Sequence, residues 1–408
     1  MNMPTKTVCV IGLGYIGLPT AALLAGKGYQ VIGVDVNPKT VEIINKGQIH
    51  IVEPDLDAFV RSAVSSGKLK AQTEPTNADI FMVCVPTPLS DSLNGIPQPD
   101  ISYVESAVKS IAPYLKPGDS VILESTSPVG TTAAITKVLS GLGVDISKIH
   151  IAYCPERVLP GKIMTELVEN DRVVGGITSR ASEAVSDFYK TFVRGEVIQT
   201  DAPTAEMCKL AENSYRDVNI AFANELSLIC ANAGINVTKL IELANRHPRV
   251  NILTPGVGVG GHCIAVDPWF VVAKDPGHAR LIHVARNVND AKTEWVIDQV
   301  ADQINSLKSS LKRIPIVACF GLAFKPDIDD LRESPALLAA KKIASMDCKL
   351  IVVEPNIDKH ASFVLCDPIK AYHSADLFVF LVKHRQFIDL VKRTDFSDKA
   401  VLDFCGIL

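Results

Sequence analysis

A chain of 408 residues is long enough for two or three domains, and with 47% apolar residues it can bury large cores. Its net charge of −4 offers no electrostatic footprint for nucleic acid. Ten cysteines without a CxxC pair argue against a structural zinc site, and a long chain without an export signal argues against a disulfide scaffold. The expectation is a cytoplasmic protein with no metal and no membrane segment.

Residues 7–11 form a short β-rich run, followed by a helical pattern through Ala25 and a second strand at 31–34. The apolar stretch 8–25 is interrupted by Gly12, Gly14, Gly17 and Pro19, which fits strand, turn and helix better than a signal peptide. Buried strands are expected at 80–85, 121–124 and 149–153, and the alternation of strand and helix predicts a parallel, doubly wound sheet. Cys9 and Cys84 in these runs, and Cys319 in a later one, read as small core hydrophobes.

The first turn reads Gly12-Leu13-Gly14-Tyr15-Ile16-Gly17. Glycines at these positions permit a tight turn and close approach of backbone to a pyrophosphate, and the helix N-terminus that follows favours its charge. Asp35, which closes the next strand, stands where an acid would bond a ribose hydroxyl. It would repel a 2′-phosphate, so NAD is preferred over NADP. The strand-end loops 85–88 and 125–128 offer Thr87 and Thr126 to the same crevice.

A long helix is expected to open at 201–203 and run to about Ala233, with Gly234 as its stop. Leu210, Val218, Ile220, Phe222, Leu226, Leu228 and Ile229 cover much of its circumference, so it is expected to be central and buried on several sides. Lys209, Asn213 and Arg216 share one face. Helices at 237–245 and 278–307 follow. Near Arg313 the alternation restarts, with strands at 316–320, 350–353, 377–382 and 400–404 and a helix at 335–345. The fold class is therefore α/β: two doubly wound, Rossmann-like domains joined by a long central helix and a helical middle domain, divided at 1–200, 201–308 and 309–408.

Gly256, Gly258, Gly260 and Gly261 precede Cys263, and a loop so rich in glycine serves close backbone approach. A thiolate at Cys263 can attack an aldehyde, with a neighbouring acid such as Asp267, or a lysine, managing protons and developing charge. Glu156, in Cys154-Pro155-Glu156-Arg157-Val158, is a candidate proton-transfer group. On pattern alone, an inert thiol at 263, a solvated cationic stripe on the helix and a surface acid at 156 remain open.

Taken together, the glycine fingerprint and segments 85–88, 124–130, 153–161, 206–229, 247–268 and 321–335 resemble the UDP-sugar 6-dehydrogenases over nearly the whole chain. The wording of 152–160, 245–253 and 258–268 is nearer the branch acting on UDP-N-acetylhexosamines. The UDP-glucose branch typically has Ser where this chain has His262. The resemblance implies Cys263 as nucleophile, Lys209 as general acid/base or oxyanion stabiliser, Glu156 as the aid to hydrolysis, and Asp267 as support for Cys263 and Lys209. It implies that Arg157, Val158, Lys209, Asn213, Arg216, Gly260, Phe324 and Lys325 hold the UDP-sugar, and that His247 and Arg249 reach it from the neighbouring subunit of a homodimer. Gly12, Gly14, Tyr15, Ile16, Gly17, Asp35, Thr87, Thr126 and Arg332 would hold NAD. The chain departs from the family near its end, where Phe404-Cys405-Gly406 stands in place of a common Lys-Gly pair. A two-electron β-hydroxyacid dehydrogenase is the nearest rival; it needs neither the cysteine nor the second α/β domain.

Overall fold

A computed structural model describes residues 6–261 and 263–408. The chain divides into two compact units, one ending at Glu212 and the other running from Asn213 to Leu408. The first contains β1 (Thr7–Ile11), β2 (Gln30–Val34), β3 (Leu69–Gln72), β4 (Ile80–Val83), β5 (Leu89–Leu93) and β6 (Ile96–Pro99). It continues with β7 (Ser120–Leu123), β8 (His150–Tyr153), β9 (Arg172–Gly176) and β10 (Val197–Asp201). Eight of these strands form one sheet in the order β3-β2-β1-β4-β7-β8-β9-β10, parallel except where β8 meets β9; β5 and β6 pair as a hairpin.

The strands read as continuous apolar runs because both faces of the sheet are covered. Val8 and Val10 of β1 join one core with Ile80 and Met82 of β4, while Cys9 and Ile11 join the opposite core with Phe81 and Val83. Chain order reverses between β1 and β4, so the turns leaving these two strands frame the crevice where doubly wound sheets bind ligands. β4 ends at Val83, two residues before the expected Val85, and the Ser125 hydroxyl bonds the Val85 carbonyl at 2.7 Å.

β9 and β10 escaped the sequence reading. β9 ends on two glycines, and a Cβ on Gly176 would sit 2.4 Å from Ser182 N, so helix Ser179–Tyr189 packs directly onto its backbone. Close packing here replaces the apolar side chains that announce a strand.

The helix Ala202–Ala233 follows β10 directly and runs into the second unit. Leu210 is buried as expected, yet Tyr215, Phe222 (54% exposed) and Ile229 (58%) lie uncovered in the single chain. Burial on several sides is thus corrected: these three, spaced by seven residues, form one exposed apolar stripe. Elsewhere the helix is held by a buried polar chain. Asp217 accepts from Arg286 Nη1 (2.7 Å) and Asn289 Nδ2 (2.8 Å), and Asn289 accepts from Asn224 Nδ2 (2.9 Å). This fastens it to helix Arg280–Leu311.

The second sheet contains β11 (Ile316–Phe320), β12 (Lys349–Val353), β13 (Leu377–Phe380) and β14 (Ala400–Asp403), all parallel in the order β12-β11-β13-β14. Val317, Cys319, Leu377 and Val379 pack on Val296, Val300 and Ile304 of helix Arg280–Leu311. Phe320, Phe378 and Phe380 pack on the other face against Phe387 and Phe396. Among the described residues, no helix is long and apolar enough to cross a membrane.

Candidate active site

In the first unit the three fingerprint glycines have three different reasons. Gly12 has φ +90°, a Cβ on Gly17 would lie 1.8 Å from the Gly12 carbonyl oxygen, and Gly14 faces open space. The turn is therefore tight, the helix Gly17–Gly26 sits hard against it, and backbone at Gly14 is accessible to a large anion. That helix has neither a side-chain N-cap nor an acid in its first turn, so no side chain offsets the positive end of its dipole that a diphosphate would meet. Asp35, half-exposed, accepts from Leu13 N (3.1 Å) and Asn37 N (2.9 Å). Tyr15 and Ile16, between Gly14 and Gly17 in sequence, are half-buried. The Thr87 hydroxyl donates to the Thr126 carbonyl at 2.5 Å, tying together the two strand-end loops. These residues fit a dinucleotide with a free 2′-hydroxyl.

Behind the β8 loop lies a buried polar cluster that no local pattern announced. Glu156 accepts from Arg157 N (2.7 Å) and from Arg172 Nη1 (2.6 Å), and the Arg172 side chain is 1% exposed. Glu124 accepts from the Tyr189 hydroxyl (2.5 Å) and from the Cys84 thiol (3.3 Å). Burial pushes the Glu124 carboxyl up and Glu156 adds to the rise, while Arg172 opposes it. Cys84, one residue past β4, packs against the first core as expected, and its thiol also donates into this cluster. Cys9 and Cys319 are core thiols as expected, the former pushed up to about 12 by burial. Arg157 pairs with Glu212 (2.7 Å) and bonds the Asp171 carbonyl (3.3 Å), with Val158 half-buried next to it.

Lys209 is buried on the long helix. One turn earlier, Glu206 accepts from Gly130 N (2.6 Å), Thr132 N (2.7 Å) and the Thr132 hydroxyl (2.6 Å). This carboxylate caps helix Thr131–Gly141 from outside and fixes the loop that follows Thr126. The only sequence signal for it was an acid inside an otherwise apolar turn.

In the second unit, Asn213 Nδ2 donates to Asp267 Oδ2 at 2.5 Å, and Asp267 N donates to the Cys263 carbonyl at 2.8 Å. Asp267 is buried and opens helix Asp267–Lys274; Cys263 is exposed, and Arg216 is exposed on the long helix. His262 lies outside the described residues. The glycine loop starts where Gly256 N donates to Asn224 Oδ1 (2.9 Å). A Cβ on Gly260 would fall 2.5 Å from the Glu333 carbonyl oxygen and 2.8 Å from Phe324 Cβ, and Gly261 N donates to the Arg332 carbonyl (3.2 Å). The glycines thus let this loop press against residues 324–335.

Phe324 is half-buried and Lys325 exposed, while Asp330 holds the guanidinium of Arg332 through Nε (2.9 Å) and Nη2 (2.5 Å). His247 and Arg249 are both exposed on a turn after helix Val237–Ala244. Asn245 closes that turn, bonding Ile252 N (2.7 Å) and the Ile252 carbonyl (2.9 Å). Near the chain's end, Lys383 Nζ donates to the Gly406 carbonyl, so a lysine approaches the departing Phe404-Cys405-Gly406 turn from β13's exit.

Three family descriptions match in succession: the NAD binding domain of the UDP-glucose/GDP-mannose dehydrogenase family at residues 6–193, its central domain at 203–291 and its UDP binding domain at 318–408. The UDP-N-acetyl-D-mannosamine dehydrogenase of Yersinia pestis is 55% identical over 99% of this chain and all of its own. An NDP-N-acetyl-D-galactosaminuronic acid dehydrogenase of Ralstonia nicotianae is 54% identical over all of this chain and 97% of its own. The solved UDP-N-acetyl-mannosamine dehydrogenase of Staphylococcus aureus superposes with a TM-score of 0.87 at 43% identity, covering 99% of this chain and 95% of that one. With the dinucleotide crevice, the glycine loop before Cys263 and all three family domains in one chain, this protein belongs to the UDP-glucose/GDP-mannose dehydrogenase family of NAD-dependent oxidoreductases.

Proposed function

We propose that the chain oxidises UDP-N-acetyl-D-mannosamine at C6 to the uronic acid, a four-electron reaction: one alcohol, two NAD and one water give one carboxylic acid, two NADH and two protons, before the acid ionises. The observation that carries this reading is an exposed Cys263 in a glycine-rich loop, within a chain 55% identical along its length to a relative named for that substrate. NAD supplies the hydride acceptor for both oxidations. Lys209 takes the proton of the C6 alcohol in the first oxidation. Cys263 then adds through sulfur to the aldehyde carbon, and the resulting thiohemiacetal has the C–H from which a second hydride can leave. The thioester that remains is cleaved by water, and Cys263 regains its thiol.

Glu156 receives the proton of that water. Both its oxygens accept from donors, Arg157 N and Arg172 Nη1, which hold the carboxyl group in place. Asp267, bonded to Asn213, orients the start of its helix just after the nucleophile. Arg157, Val158, Asn213, Arg216, Gly260, Phe324 and Lys325 are assigned to the sugar nucleotide. Gly12, Gly14, Tyr15, Ile16, Gly17, Asp35, Thr87, Thr126 and Arg332 are assigned to NAD.

The functional division into 1–200, 201–308 and 309–408 belongs to the same reading. So does a homodimer in which His247 and Arg249 complete the partner's site. The exposed stripe of Tyr215, Phe222 and Ile229 supports it, since heptad spacing suits helix-to-helix burial. None of the ten cysteines is in a disulfide among the described residues, which suits a reducing cytoplasm, and a nucleotide-bound uronic acid is a building block for polysaccharide synthesis.

The test is product stoichiometry with a panel of UDP-sugars. Limiting UDP-N-acetyl-D-mannosamine should yield two NADH per molecule and an acid. A ratio of one with a stable aldehyde rejects the four-electron reaction in favour of a two-electron dehydrogenase. A higher kcat/KM on UDP-N-acetylglucosamine or a galactosamine analogue rejects the substrate.

A further inference from the structure

The turn after β11 repeats the device that follows β1. Gly321, at φ +101°, donates its N–H to the Val353 carbonyl (2.8 Å), as Gly12 donates to the Val34 carbonyl (2.8 Å). In each unit an acid just past the second strand takes the next N–H: Asp35 accepts from Leu13 (3.1 Å) and Glu354 from Leu322 (2.7 Å). There the two acids part. Asp35 is half-exposed, open to a ligand hydroxyl, whereas Glu354 is 3% exposed and spent within the chain. Its Oε2 also accepts from Ala323 N (3.1 Å) and His384 Nε2 (3.1 Å), and its Oε1 from Asn356 N (3.0 Å). Burial pushes its carboxyl up, but these donors outweigh burial and hold it below the ordinary value. Glu354 therefore anchors a loop where Asp35 offers itself to a ribose.

The other end of that loop is held by the same imidazole. His384 is fully buried, and Asp327 N donates to its Nδ1 at 2.9 Å. A ring nitrogen that accepts an N–H carries no proton, so the geometry assigns the proton to Nε2, where it is donated to Glu354. Asp327 has φ +60°, a left-handed conformation that a non-glycine residue keeps only when its surroundings impose it. They do so here: besides the bond to His384, its carboxylate accepts from Arg385 N (2.9 Å) and Arg385 Nε (3.1 Å). Between the two anchors stand Phe324 and Lys325, and the Phe324 ring is the nearest side chain to Gly261, two residues before Cys263.

We infer that Glu354 and His384 are positioning residues for substrate: through the backbone of Leu322, Ala323 and Asp327 they set the loop that presents Phe324 and Lys325 to a nucleoside diphosphate. The inference rests on the reading of those two side chains as contacts to UDP-sugar. It is tested on the full-length enzyme with UDP as the binding probe and UDP-N-acetyl-D-mannosamine as substrate. His384→Leu removes the acceptor for Asp327 N, and His384→Asn returns an amide oxygen near the position of Nδ1. His384→Leu should weaken UDP binding and raise the sugar-nucleotide KM by about tenfold, leave kcat within about threefold and leave the NAD KM within about twofold. His384→Asn should recover most of the loss. Asp327→Gly, at a surface position with no strain to resist, should raise KM by about threefold through the lost ties to Arg385.

A merely structural role predicts a lower Tm with parental UDP affinity, and that result in a folded His384→Leu enzyme overturns the inference. Should the leucine variant not fold, parental UDP affinity in a folded Glu354→Ala enzyme, which removes the acceptor for Leu322 N and Ala323 N, overturns it equally. Either outcome in an enzyme that still oxidises the sugar nucleotide leaves the proposed function intact. A parent enzyme that neither binds UDP nor turns over removes the function and this inference together.

Discussion

Lys292 should lower the stability of the folded protein at neutral pH. It is 3% exposed, its ammonium donates to the Ser227 hydroxyl (2.9 Å) and lies 4.0 Å from the ring centroid of Trp295. Burial lowers its pKa from 10.5 to about 8. For a base with a depressed folded pKa, the unfolded chain binds more protons between the two values, so stability rises with pH from about 8 to 10.5. Below that window the ammonium is charged in both states and the full penalty, about 3 kcal/mol, is present. Lys292→Met removes the penalty, and with it a hydrogen bond and a cation–π contact worth about 1 kcal/mol each. The variant should therefore be more stable than the parent by about 1 kcal/mol at pH 7 and less stable by about 1 kcal/mol at the upper end of the window, where the neutral amine keeps its hydrogen bond but has no cation–π contact to lose.

Urea unfolding followed by tryptophan fluorescence reads this directly. Both tryptophans, Trp269 and Trp295, belong to the unit that contains Lys292. Taking the difference between variant and parent at equal protein concentration cancels every other group that titrates in the window. A difference that stays constant from neutral pH to the top of the window refutes the reasoning, because it means the buried amine keeps its ordinary affinity for a proton.

Exchanging NAD for NADP should lower kcat/KM at least tenfold, about 1.4 kcal/mol or more, and Asp35→Asn should narrow that gap; equal rates with both cofactors in the parent count against the ribose assignment. Cys263→Ser should still bind NAD but lose steady formation of the acid, because a hydroxyl near neutral pH is a far poorer nucleophile than a thiolate. Full activity in Cys263→Ala removes the covalent step. Arg249→Ala and Cys263→Ala should each be nearly inactive alone, while their mixed dimer, with one site carrying both lesions and one carrying neither, should regain about half the parental activity. Mixed dimers that form without regaining activity place both residues in the service of one chain's site.

What this sequence determined by itself is what short spacing controls. The glycine fingerprint between β1 and its helix, the acid after β2 and the alternation that builds two parallel sheets are each legible within a few tens of residues, because turn chemistry and strand or helix period are local. The long helix was legible too, in position and length, but not in which of its apolar residues the chain would cover: Leu210 is buried and Phe222 is not. Packing decided that, as it decided β9, whose glycines admit a helix against the backbone. Glu156 was legible as a candidate acid, but the partners of the buried polar groups were not. Glu156 meets Arg172 across 16 positions, Glu124 meets Tyr189 across 65, Glu206 meets Thr132 across 74, and His384 meets Glu354 across 30. Nothing in a single chain's local pattern links such partners. A carboxylate becomes an anchor, a capping group or an acceptor for water only when the fold has removed its solvent and chosen the donors that replace it, and that choice is made by tertiary packing.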